Sequence, residues 1–172
     1  EPNPYLFNKL NRLAKADKNL IFINKGTDKK NGKKKIYITK DKGQTLSSIK
    51  KSTGALKKNF KRSNTFITKN IDLITLHHAL SKLKISRKSK IFLKLDTQGN
   101  DYETLVGLRE KIKQVSLIKI EMPVTHLYQN VKTHWEILTF LKKNKFKPIN
   151  FSNGPRDKKG RIIEYDALFL RE

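Results

Sequence analysis

Residues 91–108, IFLKLDTQGNDYETLVGL, constrain this chain more than any other stretch. A short apolar run stops at an acid, Asp96. A turn containing Gly99 follows, and then Tyr102, Leu105, Val106 and Leu108 recur at helical spacing. That order describes a strand carrying a carboxylate to its C-terminal end, a tight turn, and a helix folding back. In open α/β sheets the carboxyl ends of strands are where ligands bind.

The flanking sequence supplies candidate neighbours for that strand. After the rigid start Glu1-Pro2-Asn3-Pro4, residues 5–17 place Leu6, Leu10, Leu13 and Ala14 on one helical face. Residues 19–24 (NLIFIN) predict a buried strand. Residues 34–39 predict a second strand, with Lys33, Lys34 and Lys35 discouraging further pairing at an edge. Residues 41–63 are rich in Ser, Thr, Lys and Gly and predict a long loop, functional or disordered, that holds Ser47 and Ser48. Residues 64–73 lean towards β, and Thr75 caps a helix to residue 84. Then come a strand (89–96), a helix (101–113), a strand (115–121), a loop (122–130) and a helix (132–144). Strands at 146–151, 161–163 and 167–170 surround a polar turn and close the chain as a hairpin. This alternation predicts one α/β domain, residues 1–172, in three layers around a mostly parallel sheet.

Two strands end alike, in Lys94-Leu95-Asp96 and Lys119-Ile120-Glu121. Side chains alternate along a strand, so each lysine shares a face with its acid. If the two strands are parallel neighbours, Asp96 and Glu121 share one rim of the sheet. Three uses fit such a pair. The acids could hold a divalent cation, one could act as a base towards a substrate hydroxyl, or each could cap its turn or pair with its lysine. His126, just behind the Glu121 strand end, is the histidine that best suits a site. No phosphate-binding loop, nucleophile elbow or HExxH motif is present.

The 172 residues include no cysteine, which excludes disulfides and cysteine-ligated metal sites. No apolar run reaches the roughly 20 residues that cross a bilayer, and no signal-peptide pattern opens the chain. A cytoplasmic location is therefore expected. The net charge is +24. Lysine greatly outnumbers arginine and is scattered, which suits a lysine-rich composition better than a built docking surface. Weak, salt-sensitive binding to nucleic acid is expected from it.

Beside these features, the chain resembles the FkbM-type methyltransferases, which use S-adenosylmethionine. The resemblance rests on KLDTQGNDYETLVGL (94–108), supported by IKIEMPVTHLY (118–128), by NKFKPINF and by the ending EYDALFLRE. The opening EPNPYLFNKL is similar to the acidic turn after the family's second strand. The resemblance implies a Rossmann-like class I methyltransferase sandwich with a C-terminal antiparallel hairpin. It implies methyl transfer to a hydroxyl of a sugar or other small acceptor, with Asp96, Glu121 and His126 at the reacting side. Glu1 would hold the ribose hydroxyls, with Gly26, Thr27 and Asp28 near the adenine. No metal is implied. The family's first strand and glycine-rich cofactor loop would precede Glu1, so the expectation is an N-terminally incomplete domain. His77 stands where the family carries an acid. The alternatives are a non-catalytic, basic, nucleic-acid-associated module on this fold, or an inactive truncated remnant of it.

Overall fold

The computed structural model describes residues 1–14, 17–40, 43–60, 65–86 and 88–172. In chain order the elements are α1 (Pro4–Ala14), β1 (Gly26–Thr27), β2 (Gly32–Thr39), α2 (Gly54–Asn59), β3 (Phe66–Ile74), α3 (Leu76–Lys82), β4 (Ile91–Leu95), α4 (Asp101–Val106), a 3-10 turn (Arg109–Gln114), β5 (Val115–Pro123), α5 (His134–Lys143), β6 (Phe146–Phe151) and β7 (Glu164–Arg171).

The strands form two sheets. The larger has the order β4-β5-β7-β6, the smaller β1-β3-β2. β5 is central because Val115, Ile118, Ile120 and Met122 are all buried. They join Leu95, Leu105, Leu108, Ile137, Leu141 and Phe169 in the main core. β4 and β5 run parallel with Leu95 opposite Ile120. β7 lies antiparallel on the other side of β5, with Asp166 opposite Glu121. The small sheet has its own core of Ile36, Ile38, Ile71 and Leu73.

α5 shows how local sequence sets an element. Thr133 accepts from the Glu136 N–H (3.2 Å), and Glu136 Oε2 accepts from the Thr133 N–H (2.9 Å). This reciprocal cap satisfies two groups that helix geometry leaves open. Thr133→Ala is expected to cost about 1 kcal/mol. The check is a lower urea midpoint at unchanged denaturant slope.

The structure departs from expectation at several points. The single, mostly parallel sheet is not what the described strands form. They make two mixed sheets, and β1–β3 and β4–β5 are the parallel pairs. The free edge of β4 meets no strand among the described residues. The antiparallel β6–β7 pair at the C-terminus is as expected.

Residues 19–24 are not a strand, and pairing with β3 begins only at Gly26. The backbone closes a turn there instead: the Lys25 N–H donates to the Ile23 carbonyl (2.9 Å), and Asn24 Nδ2 donates to the Glu1 carbonyl (2.9 Å).

The expected helix 101–113 stops at Val106. A Cβ on Gly107 would sit 2.5 Å from the Asp28 carbonyl oxygen, and Arg109 has φ 50°. The chain continues as the 3-10 turn. The expected loop at 41–63 contains α2. Thr53 caps it by accepting from the Ala55 N–H (3.2 Å), and Leu56 is buried with Leu127, Tyr128 and Ile163. Parts of three expectations lie outside the described residues: the end of the first helix at 15 and 16, positions 41, 42 and 61–63 of the loop, and residue 64.

Candidate active site

β4 ends at Leu95, and the chain turns sharply through residues 96–101. Gln98 (φ 51°) and Gly99 (φ 89°) are both left-handed. Gly99 is required twice over. Its φ favours glycine, and a Cβ would lie 2.9 Å from both Tyr128 and Val131. The turn is pinned from three sides. Asp101 accepts from the Thr97 N–H (3.0 Å), Ser48 Oγ donates to the Gln98 carbonyl (2.6 Å), and Tyr128 Oη donates to Gln98 Oε1 (2.8 Å). Tyr128 Oη also contacts the Leu46 carbonyl at 3.0 Å. Ser48 and Tyr128 therefore hold segment 44–49 against this turn, while the Ser47 hydroxyl donates to the Gln44 carbonyl (2.7 Å) within the segment.

Two cavities flank the turn. A cleft of about 560 Å³ lies between the sheets and takes Glu1, Gly26, Thr27, Asp96, Gln98 and Asn100 into its wall. A small chamber of about 20 Å³ lies on the other side, walled by Asp101, Tyr102, Glu121, Tyr128, Lys132 and Glu164 among others.

Asp96 stands at the rim with both oxygens engaged. Lys94 Nζ approaches Oδ2 at 3.2 Å, and Gln98 Nε2 donates to Oδ1 at 3.0 Å. The strand alternation that puts Lys94 beside Asp96 was visible in sequence. Glu121 leaves the adjacent strand end at the same rim, as the parallel register requires. Its lysine does something else: Lys119 pairs with Asp166 across the strands at 2.8 Å.

Glu121 is instead an acid among acids. Burial, and then the neighbouring Glu164 and Asp101, push its carboxyl up to about 8. Burial and the negative field of Asp96 and Asp101 push Glu164 up to about 7. Asp101, 4 % exposed, is raised to about 6, mainly by burial.

The other expected site residues fall in different places. Glu1, Gly26 and Thr27 do line the cleft. Glu1 Oε1 accepts from the Asn3 N–H (2.8 Å), and Thr27 Oγ1 meets Thr104 Oγ1 at 2.9 Å. Asp28 is buried, and its carboxylate is engaged by Lys34 (2.5 Å) and by the Lys29 N–H (2.6 Å). It therefore secures the β2 turn and is not part of the cleft wall. His126 is exposed and lines neither cavity, and its carbonyl accepts from Thr53 Oγ1 at 2.7 Å. The structure does not bring its imidazole to Asp96. His77, at the family's acidic position, pairs with Glu110 at 2.7 Å.

Sequence inspection missed Asp101, Tyr128 and Glu164. Asp101 looks like an ordinary first-turn acid. Glu164 opens the EYDALFLRE strand, and antiparallel alternation from Asp166 could have placed it on the face of Glu121. Nothing in sequence pairs Tyr128 with Gln98.

One buried group bears on what the cleft can hold. Asn100 is 1 % exposed, and its Oδ1 has no hydrogen-bond partner among the described residues, although Nδ2 donates to the Thr27 carbonyl (2.8 Å). A buried acceptor without a donor is costly. A ligand N–H in the cleft would satisfy it.

No three His, Asp or Glu side chains among the described residues are placed to hold a metal ion, and none of the helices is long and apolar enough to cross a membrane. In comparison with known proteins, residues 1–148 match the family model described as the methyltransferase FkbM domain. Neither the curated proteins nor the solved structures give a match.

Proposed function

The chain belongs to the FkbM methyltransferase domain family, and from that premise we propose that it transfers a methyl group from S-adenosylmethionine to a hydroxyl of a small, carbohydrate-like acceptor. The observation that carries this is the Asp96 rim, where a family-type strand end stands over a cleft of about 560 Å³. Ligand clefts fall around 300–1,000 Å³. The residues present fit the cofactor. Asn100 Oδ1 offers an unsatisfied acceptor beside Thr27, and Glu1 and Gly26 line the same cleft.

When bound, S-adenosylmethionine supplies the methyl group as an electrophile on its sulfonium. The chain's own residues do the rest. The Asp96 carboxylate receives the acceptor hydroxyl and takes its proton. Lys94 and Gln98 hold that carboxylate in one orientation, so the hydroxyl is positioned and not merely captured. Glu121 borders the acceptor side. Segment 44–49, fastened by Ser48 and Tyr128, limits water at the rim. His126 and Asp28 have no part in this scheme.

Asp96→Asn keeps the shape and removes the proton acceptor. Methyl transfer should fall about 100-fold or more, with S-adenosylmethionine binding unchanged by calorimetry. Transfer at the parent rate by the variant would show that Asp96 is not the base.

A further inference from the structure

We infer that the chamber behind Glu121 and Glu164 takes a protonated primary amine carried by the acceptor, an inference that rests on methyl transfer at the Asp96 rim. Five carboxyl groups converge here on a chain of net charge +24: Asp96, Asp101, Glu121, Glu164 and Asp166. Two of them have cations of their own, Lys94 on Asp96 (3.2 Å) and Lys119 on Asp166 (2.8 Å). Among the described residues, no lysine, arginine or histidine comes within ion-pair distance of the other three.

Glu164 points most directly to a ligand. It is 8 % exposed and lines the chamber. Among the described residues no backbone N–H and no cation bonds its carboxylate, and its close polar neighbour is the Glu121 carboxyl, another acid. Lys132 is the one cation in the described wall. Its ammonium is engaged by Glu136 (2.6 Å) and lies 5.7 Å from the centroid of the Tyr102 ring. Buried acids lacking a cation either keep their protons or take a cation up.

Size and shape narrow the choice of cation. About 20 Å³ accommodates one water-sized group and no sugar ring. An ammonium head has that size and offers three donors to the carboxyls around it. The Tyr102 and Tyr128 rings in the wall suit a cation as well. A metal ion is the poorer occupant, because no three acids among the described residues are disposed to ligate one. The raised carboxyls agree with this picture. Glu164 holds back the ionisation of Glu121, whose carboxyl in turn hydrogen-bonds Glu164, and a bound ammonium would ease the loss of the proton that Glu121 keeps.

The test uses the full chain and three hexoses that differ at one position: 6-amino-6-deoxyglucose, glucose and glucose 6-phosphate. Binding is followed at pH 7.5 by NMR titration, for the parent and for Glu164→Gln and Glu121→Gln, each checked for folding by its thermal transition. The amino sugar should bind at least about tenfold more tightly than glucose, as a charge-assisted bond to a carboxylate predicts. The phosphate should bind more weakly still. Glu164→Gln should erase the preference for the amine, and Glu121→Gln should reduce it. Equal binding of amino sugar and glucose, a preference untouched by Glu164→Gln, or no binding of any probe overturns the inference.

A separate transfer assay keeps the two readings apart. If the amine binds through Glu164 but accepts no methyl group, the ammonium chamber stands and methyl transfer fails. If glucose is methylated as well as the amino sugar, transfer stands and the ammonium chamber fails.

Discussion

Glu121→Gln combined with Glu164→Gln is expected to stabilise the protein above pH 7 and to remove most of its loss of stability between pH 5 and pH 8.5. Both carboxyls sit above the ordinary carboxylate range, at about 8 and about 7. The folded protein therefore keeps protons that the unfolded chain has released by about pH 5. A group raised in this way gives its full stabilisation below the unfolded pKa. That stabilisation is lost as pH rises through the folded value. The window is thus about pH 4.5 to 8, with stability falling as pH rises.

Full conversion of both shifts would overstate the effect, because Glu121 is only half-buried and water screens it. About 2 kcal/mol for the pair is the expected size at pH 8.5. For a chain of this length that is a rise in Tm of about 4–8 °C. Glutamine keeps the shape and the hydrogen-bonding capacity and removes the charge. The measurement is Tm against pH for both proteins. Parallel curves would mean that the two acids do not meet in solution as they do in the structure.

Gly154→Ala should be the most damaging single methyl group in the C-terminal half. A Cβ at this position would overlap the Glu164 carbonyl oxygen, and it would also press on the Glu164 carbonyl carbon (2.7 Å) and on Tyr165 Cα (3.0 Å). These are backbone atoms, so no side chain can swing aside. The neighbouring chain is already tied down, with Ser152 N–H on the Asp166 carbonyl (2.9 Å) and Ile163 N–H on the Pro155 carbonyl (2.8 Å).

Overpacking against fixed backbone costs about 3 kcal/mol. The cost should appear as a lower denaturant midpoint. Relief would come by parting the Gly154 loop from the start of β7, which shifts Glu164, the first residue of that strand, in the chamber wall. The same variant should therefore lose its pH-dependent stability along with its Tm. A variant within a degree of the parent Tm would show that the loop does not pack on Glu164 in solution.

These predictions concern residues that the sequence left in the background. Periodicity works best where an element's pattern and its burial agree. β4, β5, α5 and the closing β6–β7 pair fall close to their expected places because Leu95, Ile118, Ile120, Leu141, Phe146 and Phe169 share one core. It fails where distant backbone decides. NLIFIN has strand composition, but its chain turns at Ile23–Lys25 and pairs with β3 only from Gly26, and Leu20 and Ile21 remain exposed at 43 % and 65 %. Residues 54–59 have loop composition, but one fully buried leucine and a threonine cap make them a helix.

The site divides along the same line. Asp96, its bond to Lys94 and its turn could be read from sequence, because strand alternation and a glycine after an acid are local facts. The adjacency of Glu121 followed once β4 and β5 proved to be parallel neighbours. Asp28 and His126 lie outside the cleft wall for different reasons. Asp28 is held by Lys34, six residues away across a turn, while His126 is on a loop whose backbone, not its ring, is used.

By itself, the sequence determined the family, the strand–acid–turn–helix at residues 91–108, and a carboxylate at the end of β4. These depend on residue order within a few turns of chain. Only the tertiary structure decided that Asp101, Glu121 and Glu164 share a chamber and pair with no cation among the described residues, that Tyr128 locks Gln98, and that the sheets part around a cleft. Those facts depend on antiparallel register and on burial between segments up to 82 residues apart, as Leu46 and Tyr128 illustrate. The energetic character of an acid is set by what surrounds it, and local sequence does not record its surroundings.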